Sequence, residues 1–130
     1  MNAALPDGGR HIATYTVEHV DGVMLLRLAG ELGMATVPEL QTGLDAATAR
    51  NNSPVIVDLT AVQFLSSTGL RLLVALHTDL TAQDRSLRVV VGEGRFIPRT
   101  LQITGLNQVL NLDPNLPTAL GAIRRNSGAG

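Results

Sequence analysis

Residues 55–70 read Val55-Ile56-Val57-Asp58-Leu59-Thr60-Ala61-Val62-Gln63-Phe64-Leu65-Ser66-Ser67-Thr68-Gly69-Leu70. Val55 to Leu59 is short, β-branched and apolar, the composition of a central strand covered on both faces. Gln63-Phe64-Leu65 adds a last extended piece. Ser66-Ser67-Thr68-Gly69 then forms a turn, and from Leu70 to about Gln83 apolar residues stand at Leu72, Leu73, Val74, Leu76 and Leu80. This spacing predicts a helix with a broad packed face. Its polar line is Thr68, Arg71, Ala75 and Thr78, at steps of three and four. A buried strand, a tight turn and a packed helix make half of a parallel crossover, which places the chain in the α/β class.

Toward the N-terminus, Ile12 to His19 alternates Ile12, Thr14 and Thr16 with Ala13, Tyr15 and Val17, the pattern of a half-exposed strand. Asp21-Gly22 is a hairpin signal, and Val23 to Ala29 is a more apolar strand. Gly30 to Ala35 connects it to a helix in which Val37, Leu40, Leu44 and Ala47 recur at helical spacing. Thr36 is placed as its N-cap, with Pro38 in the first turn and Glu39 completing a capping box. Asn51-Asn52-Ser53-Pro54 stops the helix after Arg50.

Toward the C-terminus, Leu87 to Val91 is a second buried strand. Arg95 to Thr104 reads as a helix with Pro98 near its first turn, ended by Gly105. Val109 to Leu112 reads as a short edge strand, and Leu116 to Arg124 as a last helix. The prediction is one domain over residues 11–125, a mixed sheet of about four to five strands opened by a hairpin, with about four helices. Residues 1–10 and 126–130 are small, polar and Gly-rich, and read as flexible tails.

Composition removes several classes of function. A chain of 130 residues with 45% apolar content builds one core. Aromatics are only 2%, with no Trp, so the platforms that stack single-stranded bases are missing. A net charge of -1 without a basic stripe offers nothing to a phosphate backbone. Every basic residue is Arg, which excludes Schiff-base and P-loop lysines. The lack of Cys excludes disulfides, thiolate catalysis and Cys-based zinc sites. No apolar run is long enough to span a bilayer, and MNAALPDGGR lacks signal-peptide features. The chain therefore reads as a cytoplasmic protein with no nucleic-acid or membrane partner, no cofactor and no metal.

The chemistry-bearing residues are few. A helix start exposes unpaired N–H groups and the positive end of the helix dipole. Ser66, Ser67 or Thr68 can cap them, yet one cap needs one hydroxyl and three stand in a row. A hydroxyl there is also an apt phosphoacceptor, because the phosphate would lie against helix N–H groups, with Arg71 one turn on. Glu31 and Asp58 stand at strand ends on the same side of the sheet, where parallel-sheet proteins gather their sites. Asp58 is placed to anchor the loop through backbone N–H groups. Gly92-Glu93-Gly94 has too few glycines for a dinucleotide motif and reads as a tight turn. His11, His19 and His77 show no ligand spacing. A triad of Ser67, His77 and Asp58 lacks the nucleophile elbow, and His77 lies too far along Ser67's own helix to reach it. An enzyme is not expected.

Leu28-Ala29-Gly30-Glu31-Leu32 with Ala35-Thr36-Val37-Pro38-Glu39-Leu40 resembles the first signature of STAS domains. Val57 to Leu70 resembles the second and more specific one. Arg99-Thr100-Leu101-Gln102-Ile103-Thr104-Gly105-Leu106 and Ala119-Leu120 extend the likeness over nearly the whole chain. As a stand-alone domain it is most similar to the bacterial anti-sigma-factor antagonists. That resemblance implies a protein that binds an anti-sigma factor, itself a serine kinase, and frees a sigma factor. Phosphorylation of a serine at the helix start ends the complex and a serine phosphatase restores it. By position the serine is Ser67, with Ser66 a competing acceptor, and the partner surface comprises Glu31, Gly33, Ser66, Ser67, Thr68, Gly69, Arg71, Ala75 and Thr78. The family usually carries Asp where Ser66 and Gly33 stand here. The alternatives are a phosphorylation-independent scaffold module and a nucleotide or small-molecule sensor.

Overall fold

The computed structural model describes residues 12–128, with side chains through Arg125. The expected tail of residues 1–10 lies outside the described residues, as do Ala129 and Gly130. Strands β1 (Ala13–Val20) and β2 (Val23–Leu32) form an antiparallel hairpin. Asp21 and Gly22 between them have φ of 53° and 79°, the pair of left-handed residues that matches a hairpin's twist. Then follow α1 (Val37–Thr48), β3 (Val55–Leu65), α2 (Ser67–Ala82), β4 (Leu87–Val90), α3 (Phe96–Ile103), a 3-10 turn at Leu106–Gln108, β5 (Leu112–Asp113) and α4 (Leu116–Gly128). The sheet order is β1-β2-β3-β4-β5, and β2 through β5 are parallel. This is the mixed sheet with an opening hairpin and helical crossovers that the sequence predicts.

The pleat sorts the core into two layers. Met24, Leu26, Leu28 and Leu32 of β2, with Val55, Val57 and Leu59 of β3, face the larger layer. Leu40 and Leu44 of α1, Leu72, Leu73, Leu76 and Leu80 of α2, and Ile97 and Leu101 of α3 close over them. On the other face Val23, Leu25, Ile56 and Val90 meet Ala119 and Ile123 of α4. β1 is an edge strand, and its residues from Thr14 to His19 are exposed.

Several boundaries differ from expectation. β2 continues through Gly30 and Glu31 to Leu32, and Val55 to Leu65 is one strand, not a strand plus a separate piece. Both extensions depend on register shifts between β2 and β3, at Arg27/Ala29 and at Gly30/Glu31. At the first shift Asp58 Oδ1 accepts the Thr60 N–H at 2.8 Å, providing a partner for a backbone donor where the ladder is irregular. Asp58 also lies 3.4 Å from Arg27, which pairs with Glu18 at 3.0 Å. Asp58 therefore braces its own strand and not the Ser66 turn, a correction set by local pairing geometry. The edge strand is Leu112–Asp113 and not Val109–Leu112, because the N–H groups of Val109 and Leu110 turn back to Leu106 O at 3.0 and 2.8 Å. The last helix runs past Arg124 to Gly128.

The end of the sheet opposite the Ser66 turn is held by Arg85. Asp84, at φ 57°, is the left-handed residue that ends α2. Its N–H donates to Thr81 O at 3.0 Å and the Arg85 N–H to Leu80 O at 2.8 Å, which closes a Schellman motif. The Arg85 side chain then crosses to α1: Nη1 donates to Thr48 O at 2.8 Å and Nε to Ser53 O at 2.9 Å. Arg88 and Asp113 make a second largely buried tie, at 2.6 and 3.2 Å, between β4 and β5.

Asp45 of α1 and Asp79 of α2 line one hollow beside these helix ends. Partial burial, and then the Asp79 carboxylate, raise the pKa of Asp45 above its ordinary value. A carboxyl with a raised folded-state pKa destabilises the fold while charged, and that penalty fades as pH falls through the folded pKa. Asp45→Asn should therefore raise stability at neutral pH, by less than about 1 kcal/mol because both groups are exposed and screened. Urea denaturation should show the gain at pH 7 and its disappearance in acid.

Candidate functional site

β2 and β3 end as paired neighbours at Leu32 and Leu65, so the loops after them lie side by side at the carboxyl end of the parallel strands. Ser66 follows with extended backbone, φ -87° and ψ 178°, the conformation of an N-cap. Its N–H donates to Leu32 O at 2.9 Å, and its hydroxyl donates to the same carbonyl at 3.2 Å. Its Oγ accepts from the Thr68 N–H at 3.2 Å and the Gly69 N–H at 3.4 Å. Of the three hydroxyls, Ser66 is thus the cap, and α2 starts at Ser67 instead of Leu70. Ser67 is exposed and Thr68 half-buried. Ser66→Ala should cost about 1 kcal/mol of stability in urea denaturation, the usual loss for a removed N-cap.

Gly69 is buried beneath the turn. A Cβ there would lie 2.6 Å from Leu32 O and 2.8 Å from Leu65 Cδ1, so only glycine lets α2 begin this close to the strand ends. Thr36 holds the facing loop. It occupies the N-cap position of α1, but its hydroxyl makes no capping bond and the expected box with Glu39 is not formed. Its backbone is helical, φ -110° and ψ -30°, and not extended as a cap requires. The hydroxyl instead donates to Glu31 O at 2.6 Å and accepts the Gly33 N–H at 3.0 Å, tying the loop back on itself.

Between the two loops lies a cleft of about 330 Å³, walled by Glu31, Gly33 and Met34 on one side and Phe64, Ser66, Ser67 and Thr68 on the other. Met34 is 80% exposed and Phe64 48% exposed. The second register shift puts Phe64 opposite Glu31 on the strand pair. The cleft therefore has an apolar rim above a hydroxyl-bearing wall. Apolar groups left in water beside orienting polar groups are the make-up of a docking surface.

The other expected site residues are spread along α2. Arg71 and Ala75 line a shallow apolar groove of about 500 Å³ with Leu70, Val74, Thr104 and Leu106. Thr78 is exposed further along the helix. His77 is ten residues from Ser67 on one helix, about 15 Å at a rise of about 1.5 Å per residue, and so does not meet it. His19 is exposed on β1, and His11 lies outside the described residues. Gly92, at φ 80°, makes the turn from β4 toward α3, with space for a Cβ limited by Thr60. Sequence pattern alone does not mark Met34, Phe64 or the Thr104–Leu106 wall as part of a surface. The one available signal was a Phe, one of only 2 in the chain, immediately before the hydroxyl turn.

The STAS domain family model matches residues 14–119. The chain belongs to the STAS domain family. Within it the chain is 31% identical over 112 residues to the anti-sigma-F factor antagonist RsfB of Mycobacterium tuberculosis, covering 85% of this chain and 89% of that protein. It is 33% identical over 98 residues to the anti-sigma-B factor antagonist of Staphylococcus epidermidis, covering 75% of this chain and 89% of that protein. Among solved structures it is similar to an anti-sigma factor antagonist from Mycobacterium paratuberculosis, with a TM-score of 0.80 and 36% identity over 87% of this chain and 95% of that one. Among the described residues no helix is long and apolar enough to cross a membrane.

Proposed function

We propose that this STAS domain is an anti-sigma-factor antagonist. It docks an anti-sigma factor/serine kinase at the cleft between the β2–α1 loop and the start of α2, which frees a sigma factor. Phosphorylation of Ser67 ends the complex, and a serine phosphatase restores it. The setting is the cytoplasm. The observation that carries the switch is a division of labour between adjacent serines. The Ser66 hydroxyl is half-buried and committed to the cap and to Leu32 O, while Ser67 is exposed on the cleft wall. Phosphorylating Ser66 would break the cap; phosphorylating Ser67 would leave it intact.

The two missing acids are compatible with this reading. Ser caps a helix as well as Asp does, so Ser66 retains the structural task of that position. At Gly33 a Cβ would make only ordinary contacts, 3.4 Å to Ser66 Oγ and 3.6 Å to Phe64 Cε2, so packing does not demand glycine. Both changes remove negative charge from beside Ser67, which eases the phosphorylated state of the free domain. The partner surface comprises Glu31, Gly33 and Thr68 at the cleft and Arg71, Ala75 and Thr78 along α2, with Gly69 acting beneath it. Incubation with ATP and an anti-sigma factor/serine kinase from the same genome should add one phosphate, mapped to Ser67 and absent in Ser67→Ala. Labelling at Ser66 in the wild type would overturn the assignment.

A phosphorylation-independent scaffold is the second reading, favoured by the neutral residues at 33 and 66. Equal partner binding by wild type, Ser67→Ala and Ser67→Asp would select it.

A further inference from the structure

Two chemically addressable atoms face the same cleft from opposite walls. One belongs to Ser67, through its hydroxyl, and the other to Met34, through its thioether; both residues line the cleft, and Met34 is 80% exposed. The chain contains no Cys, so sulfur oxidation here can act only on methionine. It has 3 methionines. Met24 is 1% exposed in the core under α1, Met34 is 80% exposed, and Met1 lies outside the described residues. Oxidant access at the two described methionines therefore differs widely, and the accessible one lines the cleft read as the docking surface.

We propose that Met34 is a peroxide-sensitive modification site that switches the cleft independently of Ser67. The inference rests on reading that cleft as the partner-docking surface. In the reaction the sulfur lone pair attacks one oxygen of hydrogen peroxide. The S–O bond forms as the O–O bond breaks, the leaving hydroxide takes the proton from the transferred oxygen, and water is released. The thioether is oxidised by two electrons to the sulfoxide; a methionine sulfoxide reductase reverses the change with two electrons and two protons from a dithiol, which becomes a disulfide as the oxygen leaves as water. The product carries a strong acceptor where a flexible apolar side chain stood. A partner that buries the Met34 and Phe64 rim would have to desolvate that oxygen without a donor placed for it. Met34 lies in the loop after β2, outside both core layers, so the fold has no stake in its oxidation state. Phosphate and sulfoxide would then act on one surface through different inputs, one from a kinase and one from oxidant.

The first measurement uses the whole chain in dilute hydrogen peroxide, followed by peptide mass spectrometry. Met34 should gain one oxygen at least about tenfold faster than Met24, as exposure requires. The second measures affinity for the anti-sigma factor/serine kinase before and after peroxide treatment of the antagonist alone. Wild type should weaken about tenfold and recover with methionine sulfoxide reductase supplied with a dithiol reductant. Met34→Leu, whatever its starting affinity, should show the same affinity before and after treatment, which removes Met24 and Met1 as causes. Equal loss in wild type and Met34→Leu overturns the proposal, as does an oxidised wild type that binds unchanged. Those outcomes leave phosphoserine-controlled docking intact. If untreated protein binds no anti-sigma factor, the docking reading fails and this inference fails with it.

Discussion

Ser67→Asp should bind the anti-sigma partner at least about 100-fold more weakly than wild type, a difference of about 2.7 kcal/mol. Ser67→Ala should bind within a few-fold. The two sides of the interface respond differently to the new charge. In the free domain residue 67 is the first residue of α2 and exposed, so a carboxylate there meets the positive end of the helix dipole and open water. That placement is neutral or stabilising by about 0.3–1 kcal/mol. In the proposed complex the same charge would lose its hydration against the partner at the cleft that Met34 and Phe64 flank. Desolvating an uncompensated ion costs several kcal/mol, which exceeds the dipole gain. Phosphoserine, with about -1.5 to -2 charges, should act more strongly still. Calorimetric titration with the purified partner reads the affinities, and thermal melts of the free variants read the domain. An Asp variant that binds like wild type sinks the phosphoswitch. One that has lost its melting transition sinks the claim that the free domain accepts charge there.

How much of this was legible in the sequence depends on the range of the interactions involved. The order of strands and helices followed from local patterns: β-branched runs at Val55–Leu59 and Leu87–Val90, Asp21-Gly22, and the leucines of α2. Register was not legible. Whether Phe64 faces the core or the cleft is decided by the shift between Gly30 and Glu31, a pairing event between chain segments more than thirty residues apart. A period-2 reading cannot see an extra residue, so Phe64 passed as part of an extended piece. The cap was half legible. Three hydroxyls in a row announced a helix start, but choosing Ser66 required the position of Leu32 O, which another strand supplies. At Thr36 the cap rule failed for a different reason: its hydroxyl is taken by Glu31 O and the Gly33 N–H, a few residues back in the same loop, and its backbone is not extended. Arg85 was invisible, because nothing local marks an Arg after a helix as buried.

Arg85→Ala should cost about 3 kcal/mol and lower the melting temperature by about 10 °C. The guanidinium is buried, without a carboxylate among the described groups that it bonds, and burial lowers its pKa from the ordinary value. Taken alone, that burial opposes folding, so removing the charge returns some free energy. Three losses outweigh it. Thr48 O and Ser53 O lose charge-assisted bonds, each worth about 1.5–3 kcal/mol. The carbonyl end of α1 loses the positive charge that complements its dipole. A long side chain's volume also disappears from between α1 and α2. Arg85→Lys should recover only part of the loss, since one ammonium cannot reproduce a planar fork reaching Thr48, Ser53 and Gln83 together. Because these contacts stand at the opposite end of the strands from Ser66, both variants should keep wild-type affinity when assayed well below their melting temperatures. Ser67→Asp would thus lose binding without stability, and Arg85→Ala stability without binding. If Arg85→Ala also weakened docking in fully folded protein, the two ends of the sheet would be coupled, and the cleft could not be treated as a surface formed by its own two loops.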